Sequence, residues 1–531
     1  MYNVLTEPLI GTVKSDGSRV EESLPEVYAA LMADQVEAFP ALRPHQRHAW
    51  HAFLVQLSAM AMRRAGKSEP PEEAGEWLRV IRGLTPDYPN DEPWQLVVED
   101  ITKPAFMQPP ASSKDRETDF KTPVTVTTPD ELDVLVTSKN HDLKSTVATQ
   151  AAVDEWIFAL ITLQTMEGFS GAGNYGISRM NGGMSSRPAF SMTPDTRPGV
   201  HIKRDIKVLL EHRPKLIDDY GFADGGHSLV WTLPWDGAPA ESLLLTALDP
   251  FYLEICRRVR LRLDDAGSLT VVRASSRAAR IEAKASKGIT GDPWTPVDRK
   301  EGKSLTLAGG GFTYKRTVAY LLSADWQSPA LLIPTDAETR SPDTMSLVAR
   351  GMARGQGKTE GYYERVIPVR RKWQQAMLRG GGGTEDIGQI ATARIDKIGK
   401  VQRILSHAIQ VFLARGDSEA VSPEHRNLAR NWLNRLDEII DSRFFEHLQE
   451  EFETEDREER ERIHNRWLMN GRDGVVDHAR RILSDATDSL PCPSIHRFKA
   501  RANAEGLFEG RIRGNQGLPF LYAEKGDDSD N

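Results

Sequence analysis

Past the run RGGGGTED, Arg379 to Asp386, the hydrophobic period of the chain changes and does not change back. Ile387, Ala391, Ile395, Ile398, Leu405, Ile409 and Phe412 recur at helical spacing and stop at Gly416. Ser422 then precedes Pro423, an N-cap followed by proline at the first helical position. Trp432, Leu433, Leu436, Ile440, Phe444, Leu448 and Phe452 form the stripe of that second helix. Two further helical stretches, around Ile463 to Leu483 and Pro493 to Leu507, complete a four-helix bundle. Apolar stripes of this kind must be buried against one another, so residues 387–512 read as a separate helical domain.

The chain before the glycine run is of another kind. YNVLTEPLIGTV at the start reads as a short strand followed by a proline-marked turn. RPHQRHAWHAFLVQLSAMAMRRAG reads as a helix entered at Pro44, with Trp50, Phe53, Leu54, Leu57, Met60 and Ala61 on one face. VDEWIFALITLQTMEG is a second helix. Past Pro198, alternation, frequent glycine and short runs such as SLTVVRAS and FTYKRTVAYLL read as strands and loops. With 531 residues the chain exceeds one ordinary core. The expected architecture is α+β: a mixed domain over 1–378, a linker at 379–386, the bundle over 387–512, and a disordered acidic tail at 513–531.

The net charge of −8 excludes a protein that is basic all over. Ile255 to Lys287 nevertheless holds nine Lys/Arg against three Asp/Glu, and Leu347 to Lys372 seven against two. Asp441 to Arg462 carries ten acids against four bases. Basic segments in an acidic chain fit a local nucleic-acid footprint, and equally fit solvated faces whose partners lie elsewhere. No apolar run approaches the roughly 18 residues of a membrane span, and Cys256 and Cys492 are too few for a thiolate zinc site. A soluble, cytoplasmic protein without cofactor is the expectation.

Motifs of catalysis are sparse. His45, His48 and His51 lie three apart, which rotates them around a helix, and no carboxylate or cysteine cluster accompanies them. GAGNYG, Gly171 to Gly176, matches the dinucleotide pattern, but a helix precedes it where that mechanism needs a strand. The adjacent His141 and Asp142 in KNHDLK could serve a metal-dependent phosphohydrolase or nuclease, yet further ligands cannot be assembled around them. The chain reads as a binder with no catalytic residues. Two glycine-rich loops bearing cations support that reading. GFSGAGNYGISRMNGG has six glycines with Asn174, Ser178, Arg179 and Asn181 among them. GMARGQGKTEGYY, Gly351 to Tyr363, holds Gln356 between Gly355 and Gly357, with Arg354 and Lys358 outside them. Backbone without Cβ atoms can approach a phosphate or a groove closely.

Taken in order, these segments resemble the CasA family, the large subunits of the type I-E CRISPR surveillance complex Cascade. The resemblance rests on the opening YNVLTEPLIGTV, on PAFMQ at Pro104 to Gln108, on the helix running into GFSGAGNYGISRMNGG, on the Gly351–Tyr363 loop and on the terminal bundle. It spans nearly the whole chain, and its specificity lies in order and spacing. The glycine-rich run is about two residues longer than the family pattern, and RMNGG stands where GLRGG is usual.

The resemblance implies recognition of the protospacer-adjacent motif on duplex DNA, largely from the minor groove. On this chain the wedge falls on Gln356, flanked by Gly355 and Gly357, and the glycine loop on Gly168, Gly171, Gly173 and Asn174. The lysine role falls on Lys284 or Lys287, with Arg354 and Lys358 as phosphate contacts. Lys139, Asn140 and His141 fall where the family touches the guide RNA and a neighbouring subunit. Implied partners are target DNA, guide RNA, the other Cascade subunits and a helicase–nuclease that docks on this one; no zinc is implied. A purely structural scaffold is the remaining alternative.

Overall fold

A computed structural model describes residues 2–120, 126–133, 151–341, 344–355, 358–379, 384–469 and 474–522. The chain forms two compact units. The first comprises Met1–Phe312 and Asp325–Val369, the second Thr313–Ala324 and Arg370–Asn531.

The helices of the first unit are α1 (Leu24–Met32), α2 (Arg47–Arg64), α3 (Ala74–Arg82), α4 (Val153–Met166) and α5 (Pro198–Tyr220). Helices α2 and α4 are buried on nearly every side and sit in the core, with Trp50 in ring contact with both Phe53 and Phe158. A three-stranded antiparallel sheet of β1 (Ile10–Lys14), β2 (Arg19–Glu22) and β3 (Val36–Ala38) lies near the N-terminus. The expected order there is reversed: Glu7 and Thr6 donate to Asn3 in a turn first, and the strand follows at Ile10. PAFMQ is a tight turn whose glutamine is a structural clasp. Gln108 is buried, donates to the Leu96 carbonyl (2.8 Å) and accepts from the Leu261 amide (2.7 Å).

The sheet that matters for the site is β4 (Ala189–Thr193), then β8 (Met345–Gly355) and β9 (Lys358–Val369), in the order β9-β8-β4. Between β4 and β8 run β5 (Leu248–Leu253) and the antiparallel pair β6 (Arg258–Leu263) and β7 (Leu269–Ala274). Strands β8 and β9 pair from Met345↔Val369 to Gly355↔Lys358, whereas β4 pairs with β8 only from Ser346↔Thr193 to Arg350↔Ala189. GMARGQGKTEGYY is therefore a β-hairpin, where sequence reading expects a flexible loop. Its glycines read as breakers, but Gly351 is a strand residue pressed against Leu307 and Pro188, where a Cβ would stand 3.1 and 3.3 Å away.

In the second unit, Tyr314–Leu322 (α6) is helical, not the strand its alternation implies. Thr313 caps it, and Tyr314, Thr317, Val318, Leu321 and Leu322 are buried at helical spacing. The remaining helices are α7 (Arg371–Arg379), α8 (Glu385–Leu413), α9 (Pro423–Glu453), α10 (Arg457–Met469), α11 (Val475–Ser489) and α12 (Ser494–Arg513). Ser422 caps α9 as expected, accepting from the His425 amide with Pro423 in the first turn. The single stretch read at Ile463–Leu483 is two helices, α10 and α11. Residues 513–522 are placed as well: Leu518 is fully buried, and Arg480 donates to the Tyr522 hydroxyl.

Candidate nucleic-acid interface

Helix α4 stops at Met166 because the backbone turns extended at Glu167 (φ −83°, ψ 130°). Glu167 then bridges Ser186, and Gly168 donates to the Ser185 carbonyl (2.9 Å), so the glycine-rich segment leaves and returns at one point. Each glycine there has its own reason. Gly168 is buried, and a Cβ on it would collide with the carbonyls of Gly183 and Ser185. Gly176 is packed backbone to backbone, 2.6 Å from Gly168 and Phe169 by the same measure. Gly171 (φ +104°) and Gly173 (φ +85°) are turn residues in left-handed backbone, and Gly171 faces open space. Ser170 donates to the Asn174 carbonyl (2.9 Å) and Asn174 to that of Gly171 (3.0 Å), closing a small ring whose Ser170, Ala172 and Asn174 are exposed. No helix follows, which agrees with setting the dinucleotide reading aside.

One arginine holds this ring, and its neighbours in sequence hold other segments. Arg257 donates to the carbonyls of Gly168 (3.0 Å) and Tyr175. Arg260 serves the Ile101 and Lys103 carbonyls, Arg273 that of Glu131, and Arg280 those of Glu241 and Leu233. Burial pulls the guanidinium groups of Arg260 and Arg280 down to about 10. The basic stretch Ile255–Lys287 is therefore largely a set of buried struts, and of its residues after β7 only Arg277, Lys284 and Lys287 are exposed cations. Ser178 and Arg179 also point inward: both bond Glu254, and Arg179 lies 3.7 Å over the Tyr252 ring.

Lys284 opens a short 3-10 turn that ends at Lys287 in left-handed backbone (φ 47°). The next residue, Gly288, fits against Met180 and Asn181, where its Cβ would stand 2.7 and 2.9 Å from their backbone. Ser304 donates to the Lys287 carbonyl (3.0 Å), and Asn181 to that of Ser304 (2.9 Å). Both lysines thus stand beside the far end of the glycine-rich segment.

The hairpin reaches the same place. Beyond Arg350 its strands have only each other, and an isolated two-stranded ribbon is marginal in water. Three contacts support it. Gly351 lies on Leu307 and Pro188, the Tyr363 hydroxyl accepts from Gly310 (3.0 Å), and Arg354 pairs with Glu167. Sequence reading gives Arg354 to DNA phosphate, but its side chain is 10% exposed and its partner is fully buried Glu167. Burial lowers the Arg354 guanidinium below its usual range, and the Asp133 carboxylate partly offsets this. Asp133 in turn accepts from His45 (2.6 Å) and Gln46 (2.8 Å) at the head of α2. Glu167 and Arg257 are the residues that sequence reasoning missed; an acid just past a helix end, where the helix dipole disfavours it, is the signal for the first.

Gly355 is the last residue of β8 and Lys358 the first of β9. Gln356, Gly357, the Lys358 side chain, and Lys139, Asn140, His141 and Asp142 lie outside the described residues. No described helix is long and apolar enough to cross a membrane.

Residues 245–473 match the family model of CRISPR-associated protein Cse1. No curated protein matches the sequence. Among solved structures, CasA of Thermus thermophilus is 14% identical, with 96% of this chain and 99% of that one covered at a TM-score of 0.64. Cse1 of Acidimicrobium ferrooxidans (15%; 96% and 97%; 0.61) and Cse1 of Thermobifida fusca (16%; 96% and 98%; 0.58) are similar in the same way. At such identities the likeness is one of fold, and it supports the α+β reading with its C-terminal bundle. Over residues 245–473 the chain is thus similar to the Cse1 family model, and along nearly its whole length it shares the fold of the CasA and Cse1 structures.

Proposed function

We propose that this chain is the non-catalytic large subunit of an RNA-guided Cascade complex in the cytoplasm. In that reading it recognises the protospacer-adjacent motif on double-stranded DNA, helps part the duplex for guide pairing, and offers a docking surface to a separate helicase–nuclease. The observation that carries the reading is the convergence of three elements: the β8–β9 hairpin, a glycine ring with exposed Asn174, and a turn bearing Lys284 and Lys287. The minor groove is narrow and presents a degenerate acceptor pattern, which suits thin backbone-led elements and one amide better than a helix. A side chain inserted between base pairs costs a few kcal/mol of unstacking, and exposed cations beside it offset that through phosphate contacts.

Of the two lysines, Lys287 is the better candidate for the groove, because its turn is seated directly on Met180 and Asn181. Guide RNA and neighbouring subunits as partners of Lys139, Asn140 and His141 remain part of the proposal by family resemblance. The test is a gel-shift titration of the guide-loaded complex, with and without this chain, on duplexes carrying or lacking a flanking motif at stated salt. Binding that depends on both the motif and the chain is expected, and Gln356→Ala should weaken strand opening with assembly intact. Equal binding and opening by that variant would refute the wedge.

A further inference from the structure

Helices α2 and α5 pack against each other in the first unit, and three potential metal ligands meet at their contact. His201 and Asp205 are four residues apart on α5, so both lie on one face. His51 approaches from α2. The ligand atoms of His51, His201 and Asp205 all lie within 4.8 Å of one another. His51 Nε2 is 2.8 Å and His201 Nε2 3.5 Å from Asp205 Oδ2. A fourth group completes the set: Ser191 Oγ on β4 is 2.8 Å from His201 Nε2.

We propose that His51, His201 and Asp205, with Ser191 or a water as fourth donor, form a closed structural site for a zinc-class divalent cation. Ligands held about 2.0–2.2 Å from a tetrahedral ion stand roughly 3.3–3.5 Å apart. The His201–Asp205 separation of 3.5 Å already matches this, and the His51–Asp205 separation of 2.8 Å needs to open only by about half an ångström. Two imidazoles and one carboxylate favour zinc over calcium or magnesium, which take all-oxygen sets. The surroundings are those of a supported site. Arg204 Nη1 donates to the other Asp205 oxygen (3.3 Å) and is itself held by Glu338, so the carboxylate is oriented. The Trp294 ring meets His51 edge-on and gives the site an apolar wall. His201 is buried, which keeps bulk water from competing at the site. Such an ion would tie α2 and α5 to β4, and β4 pairs with the hairpin strand β8 at Ser191↔Val348. The helical triplet His45, His48 and His51 contributes only its last member; the other ligands come from a segment 150 residues away in sequence.

The test uses the full chain without a histidine tag, stripped with a chelator, reloaded with zinc and freed of excess ion by gel filtration. One retained equivalent is expected by elemental analysis. His51→Gln and Asp205→Asn should lose it, and a variant of exposed His227, His227→Gln, should keep it. Cobalt in place of zinc should give the intense visible bands of a tetrahedral nitrogen–oxygen site, which decides the matter even where a variant fails to fold. A folded wild-type chain that retains no metal overturns the proposal. So does undiminished metal in folded Asp205→Asn, or a cobalt spectrum with thiolate charge-transfer bands from Cys256 or Cys492.

Discussion

Glu167→Gln keeps the shape of a fully buried side chain and removes its charge, leaving the guanidinium of Arg354, itself 10% exposed, without its partner. Removing one member of a buried pair costs about 3–5 kcal/mol. Asp133 still supplies some negative field at Arg354, which points to the lower end of that range. The loss falls on the outer half of the hairpin, where β8 and β9 have no third strand. About 3 kcal/mol corresponds to roughly two decades in an opening equilibrium. Amides of Gly351–Gly355 should therefore exchange with solvent about 100-fold faster, up to the limit set by the wild-type opening free energy. The assay is hydrogen exchange read peptide by peptide, with binding of the guide-loaded complex to motif-bearing duplex measured in parallel. A pair replaced together is often neutral, so Glu167→Gln combined with Arg354→Met should recover most of the protection. The coupling energy between the two sites should lie within about 0.5–3 kcal/mol. Additive single effects, or unchanged exchange in the hairpin of Glu167→Gln, would refute the claim that this pair roots it.

The glycines of the segment should separate by mechanism. Gly168→Ala must push into the Gly183 and Ser185 carbonyls and should destabilise by about 1–3 kcal/mol in a melting experiment, whereas Gly171→Ala meets open space and should cost only about 1 kcal/mol for its left-handed backbone. Lys287→Ala should lower the slope of log affinity against log salt by about one, uniformly across motifs, if that lysine contacts a phosphate. Asp292 supplies an acid-side prediction. Burial pushes its carboxyl up, but the Arg187 charge and hydrogen bonds outweigh this and keep it below its ordinary value. The stability it contributes is then present above the unfolded-state range and lost as pH falls through the folded one, so Asp292→Asn should flatten the acid limb of the unfolding curve.

How far the sequence discloses this molecule depends on where each residue's partner lies. The bundle is legible because the partners of an apolar stripe are other stripes, and the cap at Ser422 and Pro423 is local. Even there one turn misleads: the position that faces inward is Arg394, fully buried against Glu451, while Ile395 beside it is only half-buried. Helical spacing tolerates either register, and nothing near Arg394 in sequence reveals a carboxylate 57 residues on. The same limit governs the site. Six glycines in sixteen residues announce a loop of close approaches, yet they do not tell Gly168, which packs, from Gly171, which turns.

Charge is the sharper case. Arg257, Arg260, Arg273 and Arg280 look like a phosphate footprint when counted, but each is drawn inward to carbonyl oxygens of segments distant in sequence. Arg354 is drawn to an acid 187 residues away. An arginine has five donors on a long stem and can satisfy buried carbonyls that a lysine would leave unmet. The exposed cations left beside the glycine ring include two lysines, Lys284 and Lys287, whose compact ammonium groups are strongly hydrated and suit solvent. In a chain of net charge −8, a basic count thus overstates the footprint unless arginine and lysine are weighed separately. Among the described residues of Ile255–Lys287 that follow β7, the exposed cations are Arg277, Lys284 and Lys287 alone.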